Sequence, residues 1–185
     1  MCLNMTSTLT TSCTLPELNT VTILLVGTQG IGKHELATAM VDQNTPFSLQ
    51  VRLATHLPLP PDNEKSRPRI DFVVFIMDVN NKLSISNVVS SCKALDISYF
   101  LGHACFVALI GSDEEMQAAD MTSITSLSDA YDSPMLCGSL KDDRLKKCLA
   151  KKLLKLSETA AGYCNGVSSL LVQATKKSLD FVTEL

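Results

Sequence analysis

Three stretches of the chain are apolar without alternation: VTILLV (21–26), IDFVVFIMDV (70–79) and ACFVALI (104–110). Runs of this length with no polar face suit parallel strands buried on both sides. PMLCG (134–138) is a shorter strand of the same kind, while FSLQVRLA (47–54) alternates and predicts a half-buried strand. Helical spacing fills the intervals. A helix opens at Lys33 and runs to about Asp42, with Leu36, Ala37, Met40 and Val41 on one face. A second spans about 83–96, with Ile85, Val88, Val89, Cys92 and Leu95 inward, and a third 114–131, with Ile124, Leu127 and Tyr131 on its inner stripe. A long basic helix covers 142–160, its buried stripe being Leu145, Leu149, Leu153 and Leu156. Strand and helix alternate, so right-handed crossovers predict an α/β fold: a three-layer, doubly wound, mainly parallel sheet with helices on both faces. Residues 1–18 form a Ser/Thr-rich flexible tail, 19–162 the domain, and 163–185 a C-terminal helical segment whose last helix runs 167–182. Residues 56–69 are a proline-rich loop.

Composition narrows the functional classes. A chain of 185 residues, 45% hydrophobic and 19% charged, suits one domain with a substantial core. A net charge of −3 argues against a strongly basic nucleic-acid binder. The longest apolar runs are strand-length, far below the roughly 20 residues that span a bilayer. The N-terminal stretch has neither a basic nor an apolar region of signal-peptide type, and no myristoylation or prenylation motif is present. Seven cysteines at scattered positions, with no C-x-x-C, read as reduced and mostly buried thiols of a cytosolic or nuclear protein. His103 and Cys105 lie two apart but lack a second ligand pair, so no metal site is expected.

The chemistry-bearing motif is GTQGIGKH (27–34). The phosphate-binding loop reads G-x-x-x-x-G-K-S/T between a strand and a helix. Gly27, Gly32 and Lys33 occupy their places in that context, and His34 stands where the hydroxyl that holds Mg²⁺ belongs. An imidazole is a poor substitute, because Mg²⁺ is a hard ion that takes oxygen ligands in strict octahedral geometry. Asp78, ending an apolar strand, either supports a metal in the Walker B manner or is structural; the missing hydroxyl favours the structural role. No G-x-S-x-G elbow or Cys/His pair points to other catalysis.

Residues 70–110 resemble small GTPases of the Ras and Rab type. FIMDVNNKLSI (75–85) resembles their V-x-D-V-T-N-x-x-S-F strand, VALIGSDEE (107–115) sits where they have L-V-G-N-K-x-D, and PMLCGSLK (134–141) where they have P-F-x-E-x-S-A-K. The guanine-reading Asn and Lys are replaced by Ser112 and Asp113, and the Asp by Glu115. No Asp-x-x-Gly follows a strand, and the 37 positions from Lys33 to Ile70 are too few for two interswitch strands and two switch loops. One strand and the proline loop take their place. The expected architecture is a small-GTPase-like fold that lacks switch regions.

LNTVTILLVG (18–27), LATHLPLP (53–60), RPRIDFVVF (67–75) and SYFLGHACF (98–106) resemble the centromere protein M family. That resemblance implies a non-catalytic pseudo-GTPase of the inner kinetochore, in the nucleus at the centromere, within the constitutive centromere-associated network. It implies binding to the helical-repeat protein centromere protein I, together with centromere proteins H and K, in kinetochore assembly and chromosome segregation. It also implies no bound cofactor or metal and no membrane or primary DNA contact. A residual guanine-nucleotide switch using Gly27, Gly32 and Lys33 stays open as the alternative.

Four residues are candidates for the partner interface. The turn Tyr99-Phe100-Leu101 before Gly102 is apolar where a polar turn is cheaper, and Leu101 is expected to be exposed. Leu170, with Val167 and Leu171, either caps the core or docks on a partner. Arg67 and Arg69 flank Pro68 as solvated charge or as partners for acidic residues. The outer face of the basic helix carries Lys141, Arg144, Lys146, Lys147, Lys151, Lys152 and Lys155, which is either solvated or meets acidic protein or DNA.

Overall fold

A computed structural model of the chain describes residues 18–60, 69–111, 118–164, 166 and 179–181. The strands are β1 (Thr20–Val26), β2 (Ser48–Ala54), β3 (Phe72–Asp78), β4 (Ala104–Leu109), β5 (Met135–Gly138) and β6 (Leu179–Phe181). The helices are α1 (Lys33–Val41), α2 (Lys82–Lys93), α3 (Ala118–Ala130) and α4 (Asp143–Ala160), with a 3-10 turn at Ile97–Phe100. All six strands are parallel, in the order β2-β1-β3-β4-β5-β6. This is the expected α/β, small-GTPase-like fold. From β1 the chain steps to β2 on one side and to β3 on the other, so the order reverses at β1 and opens a crevice at the strands' C-terminal ends.

Alternation inside the apolar runs decides which helix each residue meets. Leu24, Val26, Val73, Phe75 and Met77 point to the face covered by α2, the 3-10 turn and α3. Val21, Ile23, Leu25, Phe72, Val74 and Ile76 point to the face covered by α1 and α4. The first face is cemented by aromatic rings: Phe75 stacks on Phe106 at 5.5 Å, and Phe100 meets Tyr131 at 4.5 Å. Such pairs add about 0.5–1.5 kcal/mol beyond the area they bury.

The structure corrects two local expectations and adds one feature that the sequence reading did not address. Val41 is 59% exposed, not part of the buried face of α1; Ala39 is buried instead. Val41 is the last helical residue, one position before the Asp42 cap. Ser84 and Ser91 are fully buried on the inner face of α2, where the apolar pattern gives no hint of them. Their hydroxyls accept backbone N–H groups, from Asp78 and Leu57 respectively, both at 3.1 Å. Finally, Leu179–Phe181 is not helical but a sixth strand, paired in parallel with β5. The open edge of β5 offers ladder partners that a helix cannot satisfy. The remainder of the expected helix at 167–182 lies outside the described residues.

Candidate functional site

The crevice at the C-terminal ends of β1, β3, β4 and β5 holds the glycine loop. Glycine is required there on steric grounds. A Cβ on Gly27 would stand 2.7 Å from the Ile76 carbonyl oxygen, and Gly30 and Gly32 have left-handed backbones, with φ of 79° and 89°. Gly32 caps α1 without any side-chain hydrogen bond to the helix. So the loop has the bends of a phosphate cradle.

Its lysine is used differently. The Lys33 ammonium donates to three backbone oxygens: that of Gly27, that of Thr28 at 3.2 Å and that of Ala54, the last residue of β2, at 2.9 Å. An ammonium has three donors, so all of them are engaged. The side chain is buried, 7% exposed, and burial pushes its pKa down from the ordinary lysine value. Ala54 O also accepts Gly27 N–H at 3.2 Å, which fixes the start of the loop to β2. Lys33 therefore closes the loop from within.

Over the loop lies a cleft of about 280 Å³ walled by Gly30, Ile31, Gly32, Glu35, Asp78, Leu109, Ile110, Gly111, Ser139, Leu140 and Lys141. Lys33 is not on its wall. The volume is at the lower edge of what small-molecule sites occupy. Leu140, on the cleft wall, packs directly on Gly32: its Cδ1 stands 2.5 Å from where a Cβ on Gly32 would be. Glu35 and Asp78 put two carboxylates on the wall against one cation, Lys141, a balance unfavourable to a polyphosphate. His34, in the place of the metal-holding hydroxyl, is exposed. Asp78 does what its structural reading expects: Oδ1 accepts Asn80 N–H at 3.0 Å and so fixes the turn between β3 and α2. Ser112, Asp113 and Glu115, in the guanine-reading positions, lie outside the described residues. Among the described residues no three His, Cys, Asp or Glu side chains gather in a way that holds a metal. Nor is any described helix long and apolar enough to cross a membrane.

The described start of the segment standing where a GTPase has its switches is anchored in the core. Leu57 is buried and Leu59 half-buried against the α2 face, and Leu57 N–H is held by Ser91 Oγ. Five described cysteines are free thiols; Cys92, Cys105 and Cys137 are buried, and burial pushes all three thiol pKa values up, that of Cys92 to about 12. Such thiols are not nucleophiles at neutral pH.

The interface candidates divide. The 99–101 turn splits: Tyr99 and Phe100 are buried, the Tyr99 hydroxyl donating to Ile70 O at 3.1 Å, and Leu101 is 50% exposed. Ile97, on the same turn and missed from the sequence, is 79% exposed, so two apolar side chains four positions apart face outward. Its signal was present: Ile97 lies just after Asp96, whose carboxylate caps the 3-10 turn through Ser98 N–H at 2.9 Å. Arg69 lies against the fold, its Nε 3.1 Å from Asp71 Oδ1 at an angle too poor for a hydrogen bond. Asp71 Oδ2 in turn accepts Thr22 N–H at 2.9 Å. Arg67, Val167, Leu170 and Leu171 lie outside the described residues.

Comparison with known proteins agrees with this picture. The family model described as Centromere protein M (CENP-M) matches residues 6–179. Centromere protein M of Homo sapiens is 36% identical over 156 residues, 84% of this chain and 86% of its own length. That of Xenopus laevis is 35% identical over 156 residues, covering 84% of this chain and 87% of its own length. The Danio rerio protein is 30% identical over 171 residues, 92% of each chain. A small-GTPase-like sheet with a lysine-closed loop, matched over nearly its whole length by these relatives, belongs to the centromere protein M family.

Proposed function

We propose that the chain is a non-catalytic pseudo-GTPase subunit of the inner kinetochore, a centromere protein that acts by binding other proteins. The observation that carries this reading is the Lys33 ammonium, held by Gly27 O, Thr28 O and Ala54 O beneath a cleft that Leu140 narrows. Phosphoryl transfer needs the lysine on the phosphates, a metal held beside it and a positioned water. Here the lysine is committed to the backbone, the metal-holding hydroxyl is a histidine, and the start of the switch segment is pinned through Leu57.

Its partner in this reading is the helical-repeat protein centromere protein I, in an assembly with centromere proteins H and K, within the nuclear centromere-associated network that serves chromosome segregation. Ile97 and Leu101 form the exposed apolar pair that meets it. Reconstitution of that assembly with Leu101→Glu tests the reading: the variant keeps its fold and fails to co-purify with centromere protein I. Co-purification at wild-type stoichiometry would remove Leu101 from the interface.

A second reading, a guanine-nucleotide switch, draws on one observation: the left-handed Gly30 and Gly32 retain the loop's bends. It requires Lys33 to leave three acceptors and Leu140 to move aside.

A further inference from the structure

A second concave surface lies away from the glycine loop, between α4 and the segment 43–47 that joins α1 to β2. Its volume is about 770 Å³, within the range of binding clefts and well above that of the crevice over the loop. Arg144, Cys148, Lys151 and Lys155 recur at intervals of three and four along α4, so they share one wall, and Lys152 joins them. From Arg144 to Lys155 that wall is about 16 Å long, at 1.5 Å per helical residue. The facing wall is uncharged: Asn44, Thr45 and Pro46. Buried Phe47 and Leu154 lie at the bottom, and Phe47 is fixed by stacking on Tyr163 at 5.3 Å. Among the described lining residues Glu158 is the one carboxylate, and it accepts from Lys155 at 3.0 Å.

This groove pairs one cationic wall with an apolar floor in a chain whose net charge is −3. We infer that the groove between α4 and residues 43–47 docks an acidic protein segment that places an apolar side chain over Phe47 and Leu154 and its carboxylates along the cationic wall of α4, where Lys151 is exposed. Charge complementarity selects the occupant, and an apolar floor beneath the cationic wall favours a peptide over duplex DNA, whose phosphates are spread over a convex surface. The surface is separate from the Ile97–Leu101 turn, and the inference stands or falls independently of the partner assigned to that turn.

Selection from a random twelve-residue peptide library displayed on phage, with the full chain as bait, tests it. The expected pool is enriched in Asp and Glu beside a Leu, Phe or Trp anchor. A synthetic peptide of the enriched sequence should lose at least tenfold in affinity, read by fluorescence polarisation, with Arg144→Glu plus Lys151→Glu, both at exposed positions. Asn44→Trp, which fills the groove from its uncharged wall, should cause a similar loss, and a duplex DNA competitor should not displace the peptide. Melting temperatures within a few degrees of the parent verify that these surface variants fold. Leu101→Glu should leave peptide binding unchanged, which separates this site from the proposed partner turn. A pool without acidic enrichment, an affinity within twofold of the parent in both groove variants, or displacement by duplex DNA would overturn the inference.

Discussion

Lys33 Nζ lies 2.9 Å from the carbonyl oxygen of Ala54, the final residue of β2, and the same oxygen accepts the N–H of Gly27. One backbone carbonyl thus ties both ends of the glycine loop to the strand that precedes the proline segment. Lysine is a structural staple here. Lys33→Ala removes the donor from three carbonyls, two of them in buried hydrogen bonds. It should destabilise the fold by about 1–3 kcal/mol, the range for buried acceptors left unsatisfied. Urea denaturation measures it; unchanged or increased stability would contradict the staple.

Gly32 and Leu140 give a second test. Gly32→Ala faces two penalties, a left-handed φ of 89° and a Cβ 2.5 Å from Leu140 Cδ1. Leu140 belongs to the partly buried residues that pack on the α1–α4 face. Gly32→Ala should cost about 1–3 kcal/mol, combining backbone strain with overpacking. Adding Leu140→Ala removes the clash but not the strain, so the pair should be less destabilised than the sum of the two single variants. Strict additivity in a double-mutant cycle would show that the two residues do not touch.

Adjacent residues of the 3-10 turn should behave in opposite ways. Leu101→Glu, at a half-exposed position, should change stability by no more than about 0.5 kcal/mol, as surface substitutions do. Phe100→Ala, which removes a buried ring against Tyr131, should cost about 3–5 kcal/mol. Thermal and urea denaturation of the two variants separates the interface role from the core role. A large loss in Leu101→Glu would place that side chain in the core instead.

The buried thiols predict a pH dependence with a definite sign. Burial raises the Cys105 pKa above the ordinary thiol value of 9.0, so the unfolded chain gives up that proton before the native one does. The native state then binds more protons, and stability is full below about pH 9 and falls as pH rises. Lys33, whose pKa is lowered, acts in the opposite direction up to 10.5, so wild type alone does not isolate the thiol. The difference between wild type and Cys105→Ala does. Above pH 9 the stability advantage of wild type should shrink by about 1.4 kcal/mol per pH unit. A pH-independent difference between pH 8 and pH 10.5 would contradict a buried, protonated thiol.

Much of this was legible in the sequence because burial on both sheet faces leaves unbroken apolar runs, and VTILLV, FVVFIM and ACFVAL became β1, β3 and β4. Leu101 was legible as exposed because one short turn buries Tyr99 and Phe100 and has no room for a third large side chain. Ser84 and Ser91 were not, since a hydroxyl is buried only where a distant N–H needs an acceptor. Leu179–Phe181 was read as helix because three residues carry too little periodicity to reveal a strand made by the edge of β5. The fate of Lys33 was hidden for a different reason. Its partners are backbone carbonyls, which every residue possesses, so the motif looks the same whether the lysine awaits a phosphate or closes the loop.

The glycine loop is thus closed by its own lysine and structural. Calorimetric titration of the purified chain with GTP and GDP, with and without Mg²⁺ and with Lys33→Ala as the control, tests it most directly. The account predicts no saturable heat at high-micromolar protein, with or without Mg²⁺ and identical in the variant. Saturable binding that disappears in Lys33→Ala would contradict it, because Lys33 would then have left Gly27, Thr28 and Ala54 to hold phosphate.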